Sequence, residues 1–292
     1  MFASAFQVTR NFTRPVVISK KVFSGQLASG LATFIVVNKD GWVLTAAHVF
    51  ADAIKYKEDR VKIEDYRRLE TELAANRNKP KAERSKNRIV VPDSDGGWIT
   101  NFAFWWCNPT ARVEVVHIDP LADIALVKLA SFNGNTYPCF PRFHKRGSNP
   151  SPGQSLCRLG FPFHSIEATF DESTGLFDMK NFTLPPMFPN DGIHTRIQLF
   201  SNQGRTRVAK MIETSTPGLK GQSGGPLFDT DGNIWGVQVK TSHLDLGFKP
   251  TIEENGKAIT IEERQMMHVG LAAHVDHIID LFEKYSVAFD SV

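Results

Sequence analysis

Short β-rich runs broken by turn dipeptides constrain this chain more than any other feature. VVISKKVF and LATFIVV precede an Asp40-Gly41 step and WVLTAAHV follows it. That arrangement predicts a β-hairpin, because glycine takes the positive φ that a tight turn demands. The same grammar returns in the second half as SLCRLGF, HTRIQLF, TRVAKMIET, HVGLAA and the hairpin PLFDTDGNIWGVQV around Asp231-Gly232. Many short strands with turn residues between them predict an all-β barrel or sandwich.

The pattern changes character twice. Residues 51–88 are densely charged, and from Lys55 to Arg88 twelve basic side chains face seven acidic ones. With only Ile54, Val61, Ile63, Leu69 and Leu73 as sizeable aliphatics, this segment predicts a helix with a solvated face and its few apolar residues packed on neighbouring strands. The whole chain carries a formal charge of +3, so the remainder is slightly acidic and a general polyanion-binding surface is excluded. Residues 130–154 are rich in proline and glycine and mark a connection between two halves. The expected units are therefore a first barrel over 1–135, containing the charged insert, and a second over 136–292. The second ends in a helix over 273–285, where Val275, Ile278, Ile279 and Phe282 recur at helical spacing.

Hydrophobic residues make up 41% of the chain and charged ones 22%, which excludes disordered and fibrous classes. No apolar run approaches the roughly 18 residues needed to span a bilayer, and Gln7, Thr9, Arg10 and Asn11 interrupt what would be the apolar core of a secretory signal. Cys107, Cys139 and Cys157 are odd in number and lack a CxxC pair. They suit neither a disulfide framework nor a zinc site, so a reduced, cytoplasmic setting is expected, with one bridge plus one free thiol as the alternative.

The candidate chemistry sits in three places. In GLKGQSGGPLF, Ser223 lies among glycines in a turn before a strand. Glycine permits the dihedrals and close approach that let a serine hydroxyl protrude while backbone N–H groups point at a developing oxyanion; Gly221 and Ser223 are the expected donors. LTAAHVF puts His48 just past an apolar strand, and DPLADIALVKL opens another with Asp123. Each feature alone also reads as structure: a glycine-rich hairpin, an edge histidine, a turn aspartate. Together they stand in the order His, Asp, Ser, one of the chain orders in which a nucleophile, its base and the group orienting the base are assembled.

With these residues in view, the sequence resembles the trypsin/chymotrypsin-like serine peptidases, and within them the HtrA-type bacterial branch. TAAHV and GQSGGPL match the family's histidine and serine signatures, while VVHIDPLADIALVKL, RLGFPF and HVGLAAHVDHIIDLF look like HtrA-type segments. The resemblance implies two six-stranded antiparallel β-barrels with the helical insertion in the first, a closing helix, and a cleft holding His48 and Asp123 from one barrel and Ser223 from the other. The implied activity is serine endopeptidase, through an acyl-enzyme, acting on protein or peptide substrates without metal or other cofactor. A catalytically silent binding scaffold and an esterase are the alternatives. Departures matter as well. Gln222 stands where digestive relatives carry an aspartate that pairs with a newly cut N-terminus, so control by loop ordering or a partner is expected instead. No PDZ segment is read in the sequence.

The resemblance places the specificity pocket at Pro217, Gly218, Val239, Lys240 and Thr241. No aspartate occurs between Thr214 and Gln222, which argues against a preference for Arg or Lys and leaves a small or medium apolar side chain as the expectation. His274 and His277 form an HxxH pair without a third ligand nearby and read as solvent-facing helix residues. The aromatic run Phe102, Phe104, Trp105 and Trp106 reads as alternate strand aromatics filling a barrel core rather than as a nucleic-acid stacking surface. The insert beside His48 is a candidate docking site for a regulatory protein.

Overall fold

The computed structural model describes residues 1–77, 91, 96–107, 110–178, 182–201, 207–247, 251–254, 257–260 and 266–292. A short helix α1 (Ala3–Thr9) leads into β1 (Thr13–Val22), β2 (Leu27–Val36), β3 (Trp42–Ala46), β4 (Ile99–Trp105), β5 (Arg112–Asp119) and β6 (Ile124–Ala130). These six strands form one antiparallel sheet in the order β4-β1-β2-β3-β6-β5. The Asp40-Gly41 step makes the β2–β3 turn as expected, with Gly41 at φ +84°. Strand β6 sits at the centre of this packing, since Ile124 to Val127 are all buried.

Helix α2 (Ala51–Arg77) fills the connection from β3 to β4; residues 78–88 of the expected insert lie outside the described residues. Its docking differs from the sequence expectation. Ile63 is buried, but Ile54 and Val61 are 49% and 61% exposed. Aromatic and ionic contacts hold the helix instead. Tyr56 stacks on Phe102, Tyr66 meets Phe23 and Trp98 edge-on, and Lys20 pairs with Asp52 at 2.8 Å. Asp59 is fully buried, pairs with Lys55 and Lys62, and accepts the Ile99 N–H at 2.8 Å. Long aliphatic sequences are not required to anchor a helix when one buried carboxylate is satisfied on every side.

The second sheet contains β7 (Arg142–Phe143), β8 (Ser155–Gly160), β11 (Phe188–Ser201), β12 (Val208–Thr214), β13 (Pro226–Phe228), β14 (Ile234–Asp245), β17 (Met266–His274) and β18 (Asp290–Ser291); β9 (Thr169–Asp171) with β10 (Leu176–Asp178), and β15 (Thr251–Glu254) with β16 (Lys257–Thr260), are separate hairpins. The order β13-β8-β11-β12-β17-β14 is closed by an additional β13–β14 pairing. Six strands thus complete a ring, which leaves no free edge within it. Among the described residues the first sheet has no such closing pair, so β4 and β5 are its edges. The main core of buried side chains runs from Phe34, Leu44 and Leu126 in the first sheet to Phe143 and Ile234 in the second and Phe282 on the closing helix, with a smaller cluster around Leu156, Ile212 and Leu227.

Helix α3 (Val275–Lys284) closes against the second barrel through Ile278, Ile279 and Phe282. Its HxxH pair is not solvent-facing. His274 and His277 are 0% and 5% exposed. His274 caps the helix, its Nδ1 accepting the Asp276 N–H at 3.1 Å, and His277 Nε2 accepts the Lys210 N–H at 2.8 Å. The first histidine precedes the helix, where a side-chain acceptor has a structural task that periodicity does not reveal. All three cysteines are unbridged. Phe104 packs on Phe50 and Trp106 on Phe34, so the alternate aromatics of β4 do fill the core side.

Candidate active site

His48 lies in the 3₁₀ turn Ala47–Phe50 that follows β3 without a break. Asp123 occupies the left-handed region at φ +54°, immediately before β6. Aspartate tolerates that conformation better than most residues. A turn built by Asp119 presents it: Asp119 Oδ1 accepts the N–H groups of Leu121 and Ala122 at 3.1 and 3.3 Å. The Asp123 carboxylate then grips His48 twice. Oδ1 accepts the His48 backbone N–H at 2.9 Å and Oδ2 lies 2.7 Å from Nδ1. An aspartate accepting at Nδ1 fixes the proton there and leaves Nε2 as the basic nitrogen. Both side chains remain reachable, at 44% and 33% exposure.

Ser223 comes from the second barrel and is tied to the first through its own backbone. Its carbonyl accepts the Thr33 N–H at 2.8 Å, while Thr33 Oγ1 donates to the Gly221 carbonyl at 2.7 Å. Thr45 Oγ1, on the strand that leads into the His48 turn, donates in turn to the Thr33 carbonyl at 2.7 Å. Gly224 sits where the two sheets touch; a Cβ there would overlap the Thr33 carbonyl and Thr45 Oγ1, so only glycine fits. Gly224 N–H donates to Gln238 O and Gln238 N–H to Gly225 O, which fastens the turn to β14.

The turn itself has a positive φ of +99° at Gly221, and Gln222 N–H folds back onto the Leu219 carbonyl at 2.9 Å. Among the described residues, neither the Gly221 nor the Ser223 N–H has an acceptor, and the Ser223 hydroxyl makes no hydrogen bond, to His48 or otherwise. Gln222, fully buried, acts as an internal clamp: Oε1 accepts the Leu219 N–H at 3.0 Å and Nε2 donates to the Phe188 carbonyl at 3.3 Å. A neutral amide satisfied by its own loop needs no N-terminal ammonium, which is a role the sequence did not disclose.

The five residues named for the pocket border the same region. Gly218 O accepts from Thr241 Oγ1 at 2.6 Å, and Pro217 O accepts from Asn190 and Arg158. Val239 and Lys240 line a cleft of about 240 Å³ together with Asp123, Leu121, Phe200 and Leu271. A second cleft, about 560 Å³, is bordered by Gly30, Phe161, Phe163, His164, Leu219 and Gly221. Sequence reasoning placed Gln238 at the start of the pocket wall but assigned no role to Thr33 or Arg158, because their partners lie far away along the chain. Arg158 stood in view within RLGFPF, but nothing local marks it as buried. No group of three or more metal-ligating side chains occurs among the described residues.

Residues 32–237 match the trypsin-like peptidase domain family. Among solved structures, the chain is similar to the Rv3671c protease from M. tuberculosis in its active form, at 15% identity over 98% of this chain and 86% of that one, with a TM-score of 0.49. It is also similar to the HtrA-type protease AlgW with decapeptide, at 14% identity over 97% and 67%, with a TM-score of 0.52. No curated protein matches it. With the family match covering more than half of the sequence and a closed six-stranded barrel facing a second six-stranded sheet, the chain belongs to the trypsin-like peptidase family.

Proposed function

We propose that this peptidase is a serine endopeptidase in which Ser223 is the nucleophile, His48 the general base and Asp123 the group that orients the base. The observation that carries the reading is the pair of hydrogen bonds from one carboxylate to both the ring and the backbone N–H of His48. Ser223 Oγ attacks the scissile carbonyl as His48 Nε2 takes its proton, and the oxygen that gains charge is held by the Gly221 and Ser223 N–H groups. His48 then returns the proton to the leaving amine, and the acyl-enzyme is released by water activated in the same way. Preorganised donors of this kind are worth about 10²–10³ each in kcat. The Ser223–His48 link forms on substrate binding, as catalytic hydrogen bonds often tighten only in the Michaelis complex.

Two clefts, one bordered by Asp123 and one by Gly221, offer binding surface next to proposed catalytic residues, which supports a peptide substrate. The test is labelling by a fluorophosphonate together with peptide hydrolysis. Wild-type protein should be labelled and should cleave peptides, and Ser223→Ala should lose both reactions. Labelling without peptide cleavage would support an esterase, and absence of both a silent scaffold.

A further inference from the structure

The floor of the slot beside Ser223 is polar and cationic. Its walls are the segment 216–218, residues 238–241 within β14 and Gly270 on β17, held together by Thr241 Oγ1 donating to Gly218 O and by Gly270 N–H donating to Thr216 O at 2.8 Å. From β8, Arg158 reaches beneath these walls. Its guanidinium donates to Thr216 O at 2.8 Å, Thr216 Oγ1 at 3.0 Å and Pro217 O at 3.4 Å.

Three facts single out this arginine. It is 1% exposed, yet no carboxylate forms an ion pair with it among the described residues. Its Nε has no acceptor, and the neighbouring Gln238 Oε1 is likewise buried without a partner. Space has been made for both side chains: a Cβ on Gly270 would overlap the Arg158 guanidinium, and one on Gly218 would overlap the Gln238 carboxamide. A buried, unpaired cation is costly, and proteins normally supply a counter-ion. Burial pushes the Arg158 guanidinium down to about 10, which leaves it charged at neutral pH. Exposed Lys220 and Lys240 flank the slot, and neither 214–222 nor 234–241 contains an acidic residue.

We propose that this slot accepts an acidic side chain, glutamate or aspartate, at the residue preceding the cleaved bond, with Arg158 as its buried counter-cation and Gln238 as a second polar contact. The inference rests on Ser223 being the nucleophile. It replaces the apolar preference expected from sequence, because the missing element was a charge contributed from a distant strand. A buried cation discriminates sharply between a carboxylate and its neutral isostere, since the amide leaves the charge uncompensated.

The experiment measures kcat/KM for peptides that differ only at that position, carrying Glu, Gln, Asp, Leu or Lys, alongside fluorophosphonate labelling. Wild-type enzyme is expected to prefer Glu over both Gln and Leu by about tenfold or more. Arg158→Met should bring the Glu/Gln ratio close to one, and Arg158→Lys should keep Glu ahead. If the protein is labelled but cleaves the Leu or Gln peptide as fast as the Glu peptide, the acidic-pocket inference is overturned while the serine-peptidase reading stands. A protein that is neither labelled nor active overturns both. Should Arg158→Met fail to show a cooperative thermal transition, the wild-type series and Arg158→Lys carry the decision.

Discussion

The Ser223 carbonyl accepts the backbone N–H of Thr33 at 2.8 Å, so the turn that carries the nucleophile is anchored on the opposite sheet. The Thr33 hydroxyl adds a second anchor at the Gly221 carbonyl. Replacing Thr33 by valine keeps the shape and removes only the second anchor, at a cost of about 1 kcal/mol in stability. The expected result is a lower kcat with little change in KM, measured by steady-state peptide hydrolysis, because the lost bond holds the carbonyl of Gly221, the residue whose own N–H is a proposed oxyanion donor.

Asp123→Asn should lower kcat by roughly 10⁴-fold, since an amide can stabilise the wrong imidazole tautomer. Asp119→Asn is the control. Asp119 shapes the turn with Oδ1 and pairs with Arg207 at 2.7 Å through Oδ2, without touching His48. Its loss should cost far less activity; the reverse ranking in kcat would transfer the orienting role to Asp119.

Asp59 is the polar anchor of α2. Burial alone would raise its carboxyl, but the bonds from Lys55 and the Ile99 N–H outweigh that and hold it below the ordinary value. Asp59→Ala should destabilise the fold by about 2–3 kcal/mol, read from denaturant midpoints. Because α2 begins directly after the His48 turn, activity of the folded variant should fall only modestly. An unchanged midpoint would show that the aromatic contacts alone hold the helix.

Acid should weaken the closing helix through His274. Burial lowers this group from 6.5 to about 4 in the folded chain, with Asp276, Lys210 and His277 as its charged neighbours. The folded pKa lies below the unfolded one, so the unfolded chain binds the proton first. Stability present above pH 6.5 is therefore lost as pH falls toward 4, by about 3 kcal/mol. Protonating Nδ1 would also remove the acceptor that caps α3. Calorimetry across this range should show a steep fall in Tm for the wild type and a shallower one for His274→Asn, whose side chain can still cap.

Features written into neighbouring residues could be read directly. The Asp40-Gly41 turn, the strand runs and the apolar stripe of α3 depend on contacts within a few positions, so dihedral preference and periodicity suffice. The spread of α2 contacts could not be read in this way. Its charge pattern predicted solvated helix and hid the one carboxylate, Asp59, that is buried against a strand 40 positions away. His274 misled for the same reason: helical spacing describes a face, whereas this residue acts from the end.

The sequence by itself determined the residue types available to the cleft: a histidine after one strand, an aspartate before another, a serine within a glycine turn. Only the tertiary structure decided their geometry. Closing β13 onto β14 and bonding Thr33 to the Gly221–Ser223 turn bring residues from both sheets together, and Arg158 is buried beneath the slot with no carboxylate paired to it among the described residues. Charge and hydrogen-bond partnership are properties of neighbours in space, and here the neighbours that matter are separated by dozens of residues along the chain.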